Sequence, residues 1–70
     1  EMTLQEIKKA VLNGQVVNWS NGSYRVVCDS LGQWLIECTL NGHCIKLTHL
    51  DGVTMNGDEN EFYITKKEVI

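Results

Sequence analysis

The chain has 70 residues, with 6 Lys and Arg against 9 Asp and Glu, a formal net charge of -3 and 43% hydrophobic residues. That is enough for one domain, residues 1–70, built on one core, and it is not the composition of a disordered tail. The acidic balance lacks the broad cationic surface that sequence-independent nucleic-acid binding uses, and no apolar run nears the roughly 20 residues of a membrane span.

Glu1 precedes Met2 and is set aside as an addition to a native start at Met2. Thr3-Leu4-Gln5-Glu6 is a capping box, in which the Thr hydroxyl takes an orphan backbone N–H and Glu6 reaches back to the cap. Leu4, Ile7, Val11 and Leu12 follow at helical spacing, Met2 and Ile7 are placed as a hydrophobic staple, and Asn13-Gly14 ends the run. The predicted helix covers about residues 4–12.

A β meander over about residues 15–64 comes next, because Gly recurs at 22, 32, 42 and 52, a strand-turn-strand spacing. Asn21-Gly22 and Asn41-Gly42 predict two-residue type I′ turns, and Asp29-Ser30-Leu31-Gly32 predicts a three-residue loop closed by a left-handed glycine. These turns set Trp19 opposite Tyr24, Val26 opposite Ile36, Cys28 opposite Trp34, Cys38 opposite Ile45, and Ile36 opposite Leu47. One face then carries Val17, Trp19, Tyr24, Val26, Cys28, Trp34, Ile36, Cys38, Leu40, Ile45 and Leu47 as the core beneath the helix. The other face carries three rows: Ser20, Ser23, Thr39 and Cys44; Asn18, Arg25, Glu37 and Lys46; and Val16, Val27, Leu35 and Thr48.

Past Leu50, Asp51-Gly52 and Asn56-Gly57 mark turns around a short Val53-Thr54-Met55 strand, and Glu61–Ile64 supplies a last strand. Pairing that strand with Val16–Trp19 would close a small SH3-like barrel, leaving residues 65–70 as a tail. The expected fold is α+β, an N-terminal helix packed on an antiparallel meander of four or five strands.

Chemistry-bearing residues do not converge in this register. Cys28, Cys38, His43, Cys44 and His49 are the zinc-ligand types, but there is no C-x-x-C and Cys44 faces away from Cys38, so no metal site is expected. His43 and Cys44, adjacent on a strand, point to opposite faces and cannot form a nucleophile pair. His43 is then a hairpin-end residue, His49 lies at the core edge, and Cys28 and Cys38 are small core residues. Asp51, Asp58, Glu59 and Glu61 do not follow the EF-hand spacing. Trp19 and Tyr24 face the core rather than a ligand. The expectation is a protein with no cofactor and no enzymatic activity. An odd number of cysteines suits a reducing compartment, so a soluble, cytoplasmic protein is expected.

Four strings, Asn13-Gly14-Gln15-Val16-Val17-Asn18-Trp19, D-S-L-G-Q-W-L-I-E-C over 29–38, L-T-H-L-D-G-V-T-M-N-G over 47–57 and E-F-Y-I over 61–64, read together resemble small uncharacterised proteins of bacteria and their phages. The resemblance implies an accessory protein without an assigned activity that binds one host or viral protein. On the residues themselves, the contiguous row Val16, Val27 and Leu35, with Arg25 beside it, is the candidate partner-binding surface. It meets either another protein chain, a second copy included, or the tail residues Val69 and Ile70. The alternative function is a nucleic-acid-associated small barrel using Arg25, Lys46 and exposed aromatics.

Overall fold

A computed structural model describes residues 2–65, an N-terminal helix followed by a five-stranded antiparallel sheet. The proposed covering residues Val69 and Ile70 lie outside the described residues. Helix α1 spans Leu4–Leu12, and its capping box is complete: Thr3 Oγ1 accepts from Glu6 N at 3.2 Å and Glu6 Oε1 accepts from Thr3 N at 2.9 Å. Met2, Ile7 and Ala10 are its buried contacts. Leu12, expected on the packed face, is 72% exposed, and Ala10 is buried instead because it lies three residues after the buried Ile7 on the same face, whereas Leu12 lies five after it.

The strands are β1 (Val16–Trp19), β2 (Tyr24–Cys28), β3 (Trp34–Cys38), β4 (Cys44–Lys46) and β5 (Phe62–Thr65), in the spatial order β4-β3-β2-β1-β5. The β5 strand pairs with β1 as the sequence predicts, with Trp19 opposite Phe62 and Asn18 opposite Tyr63. The sheet nonetheless stays open, because β4 and β5 do not pair with each other, so the barrel is not closed. The expected Val53-Thr54-Met55 strand reduces to a single bridge between Thr48 and Met55. No helix among the described residues is long and apolar enough to cross a membrane.

Two of the three predicted pairings hold. Trp19 faces Tyr24, and Tyr24, Val26 and Cys28 face Cys38, Ile36 and Trp34. The middle loop is as expected: Asp29 N donates to Gln33 O, Gly32 N donates to Asp29 O, and Gly32 sits at φ +82. Asp29 Oδ1 locks it further by accepting from the backbone of Leu31 and Gln33.

The β3–β4 register differs by two residues: Ile36 lies opposite Ile45 and Glu37 opposite Cys44, where Leu47 and Lys46 were expected. The cause is in the turn. Asn41 does not take the positive φ that a type I′ turn requires; its Oδ1 accepts from His43 N, and Cys38 N donates to His43 O, so residues 39–42 form a four-residue loop. A slip of two preserves the alternation of faces, which is why the inward and outward sets survive the shift. At the first hairpin the Asx hydrogen bond from Ser23 N to Asn21 recurs, with Ser20 at φ +62 in place of Asn21.

The core comprises Met2, Ile7, Ala10, Val17, Val26, Ile36, Leu47 and Phe62, with Trp19, Tyr24, Trp34 and Met55 packed partly buried against it. A nine-residue helix covers only part of a five-stranded sheet. The expected core residues Cys28, Leu40 and Ile45 are therefore exposed, Leu40 at 81% in the four-residue loop and Ile45 at 51% on the edge strand. Cys38 and Trp34 are half-buried. Trp34 holds its place at the rim beneath Lys8, whose Nζ lies 5.7 Å from the ring centroid.

Candidate interaction surface

The face turned away from α1 carries the candidate residues. Val27 stands directly opposite Leu35, Val16 continues the line on β1 and lies opposite Thr65, and Lys46 takes the far end opposite Leu35. The expected row Val16, Val27, Leu35 and Thr48 is thus Thr65, Val16, Val27, Leu35 and Lys46. Val16, Val27 and Leu35 are each half-buried, and Arg25 is exposed beside them. The helix α1 lies over the opposite face of the sheet.

The adjoining polar row runs Tyr63, Asn18, Arg25, Glu37 and Cys44, since the β4 shift replaces Lys46 with Cys44. Arg25 Nη2 and Nε lie 2.9 and 3.0 Å from the same Glu37 carboxylate oxygen. An exposed pair of this kind contributes about 0–1 kcal/mol, so it fixes the direction of the guanidinium more than it stabilises the fold.

Asn18, read from the sequence as part of a solvated row, is buried at 9% exposure. Its amide Nδ2 donates to Tyr24 O at 3.0 Å, and its Oδ1 accepts from Thr65 Oγ1. A buried amide without partners would be costly. Here it links β1 to the neighbouring β2 backbone and to β5, and so holds the apolar row's last strand in place. Nothing in the sequence distinguishes such an Asn from a solvated one until the flanking strands are known.

The other chemistry-bearing side chains stay apart. His43 and His49 are exposed, so His49 is not the expected core-edge residue; Cys28 and Cys44 are exposed as well. No group of three or more His, Cys, Asp or Glu that could hold a metal ion occurs among the described residues. Asp51 is held well below its ordinary 3.8, at about 2, first by the Thr54 hydroxyl and then by the backbone amides of Thr54 and Val53. These contacts order the turn at residues 51–54.

Trp19 and Tyr24 pack edge to face with ring centroids 5.1 Å apart, and Trp19 leans on Phe62 at 6.2 Å. Gly57 abuts this cluster: a Cβ there would overlap Trp19 Nε1 and approach the Phe62 ring to 3.0 Å. The sequence marks Gly57 only as a turn residue, whereas its role is close approach to the aromatic core. On the inner face, Trp19, Tyr24, Ile36, Cys38, Asn41, His43 and Ile45 line an open cleft where the helix no longer covers the sheet.

Comparison with family models, curated proteins and solved structures finds no match to this chain.

Proposed function

We propose that this chain is a small non-enzymatic protein-interaction module, and that it meets its partner through the outer sheet face centred on Val16, Val27 and Leu35, with Arg25 at the margin. The observation that supports this reading is the contiguous aliphatic row across three strands, on the side of the sheet opposite α1, bordered by a charged pair. Apolar centre and polar rim are the composition of a recognition patch. A protein partner of host or viral origin, encountered in the cytoplasm, suits an accessory protein of the kind the sequence resembles. The nucleic-acid alternative has less behind it: the net charge is -3, and the Arg25 guanidinium is engaged by Glu37.

Leu35→Asp tests the reading. A charge on a recognition patch abolishes binding and leaves the fold standing, whereas a charge beneath a covering segment destabilises it. Immobilised wild type and variant, each exposed to bacterial lysate and scored by mass spectrometry, should differ in a discrete set of retained proteins. Their thermal melts should agree within a few degrees. A variant that melts far lower, while retaining the same proteins, would place the row in a second small core.

A further inference from the structure

On the face turned away from α1, the two central strands carry two directly opposed pairs. Arg25 of β2 stands opposite Glu37 of β3, and two residues further along the strands Val27 stands opposite Leu35. Flanking them are Val16 and Asn18 on β1, and Lys46 and Cys44 on β4. Arg25, Glu37 and Lys46 are thus the charged side chains that these four strands place on this face. The Arg25 and Glu37 side chains, although paired, keep 51% and 26% of their surface open.

We propose that this face takes a second copy of the chain, the two sheets stacking face to face about a two-fold axis that lies between β2 and β3 and runs parallel to them. The inference rests on the outer-face reading and names its partner. It follows from charge complementarity under that symmetry. Such an axis brings β2 of each copy over β3 of the other at the same height along the strands. Arg25 then lies over Glu37 of the second copy and Glu37 over its Arg25, while Val27 and Leu35 exchange in the same way. Aliphatic row stacks on aliphatic row, and charged row on charged row with the signs opposed. Lys46 comes over Val16, which its methylene stem can cover with the ammonium left at the rim. No two like charges of β1–β4 meet. An axis running across the strands through the charged row would instead lay Arg25 on its own copy. Because stacked sheets are rotated by about 30° through their twist, contact is closest at the axis, where Arg25, Val27, Leu35 and Glu37 stand. The β5 strand, at the far end of the sheet order, lies beyond the stacked strands.

Sedimentation equilibrium of the full chain, from low micromolar to near-millimolar concentration, tests this with two charge reversals. The wild type should form a reversible dimer. Arg25→Glu and Glu37→Arg should each raise the dissociation constant roughly tenfold or more, because two attractive contacts across the axis become repulsive. Mixed in equal amounts, the two variants should associate with each other as the wild type does with itself, since each supplies the charge that the other lacks. The ion pair within each chain stays broken in that mixture, so its loss cannot account for the recovery. Both variants should melt within a few degrees of the wild type, as an exposed pair contributes little to the fold. A wild type monomeric throughout overturns the proposal. So do single variants that dimerise as the wild type does, or a mixture no more associated than its components. If a variant fails to fold, dilution of the wild type decides: the amide resonances of Arg25, Val27, Leu35 and Glu37 should shift with concentration, and shifts confined to α1 or β5 overturn it. A monomeric wild type that retains lysate proteins lost in Leu35→Asp overturns self-pairing and leaves the outer-face reading standing.

Discussion

The two edge strands of this sheet are fixed by different physics. The β4 strand is three residues long, exposed at every residue, and the carbonyl of Lys46 at its end accepts from Asn56 Nδ2. The β5 strand is anchored by burial: Phe62 is 1% exposed and packs on Trp19. A side-chain hydrogen bond holds one end of β4, whereas a buried ring holds β5. One small sheet thereby secures its two edge strands by different means.

The largest effect expected from disturbing this contrast is at Phe62. Phe62→Ala removes the anchor of β5 at a cost of about 3–5 kcal/mol, comparable to the whole stability of a domain this size. The chain should be largely unfolded by near-ultraviolet circular dichroism. A well-folded variant would mean that β5 is held by its backbone pairing alone. At the end of β4, Asn56→Ala should cost about 1 kcal/mol, the net worth of a typical intramolecular hydrogen bond, and leave the cooperative fold intact. Its mark is local: faster amide exchange across residues 47–56 with β1–β3 protected as before. Uniform acceleration over the whole sheet would show that the loop unfolds only together with the core.

The smallest effect is a titration in that same loop. Thr54 and the neighbouring amides stabilise the Asp51 carboxylate, holding it near 2 against an ordinary 3.8. A depressed carboxylate stabilises the fold above its unfolded value, and that contribution is lost as pH falls through about 2. The Asp51 carboxyl resonance should therefore titrate with a midpoint near 2. A midpoint near 4 would mean that the turn does not persist in solution.

Much of this arrangement can be read from the residues alone, and the failures have specific causes. The helix bounds follow from a capping box at Thr3 and Glu6, because local hydrogen bonds determine them. The β2–β3 register follows from a loop that Asp29 and Gly32 determine locally. The β3–β4 register does not follow from Asn41-Gly42, since Asn41 has two competing uses, positive φ or an Asx hydrogen bond, and it takes the second. Exposure of Ile45 and Leu40 depends on how far one short helix reaches across the sheet, which no local signal encodes. The burial of Asn18 depends on Thr65, 47 residues away. The outer aliphatic row was legible because alternation is insensitive to a slip of two. The pairing of β5 with β1 follows from the Phe62-Tyr63-Ile64 run, but closure of the barrel does not, because it depends on β4 reaching β5 across the sheet.

Amide hydrogen exchange within β5, followed residue by residue, tests most directly the claim that this strand is held to the sheet by β1 and by the burial of Phe62. Tyr63 and Thr65 should be protected by β1 while Ile64 between them exchanges rapidly. Protection of Ile64 equal to that of its two neighbours would contradict the account.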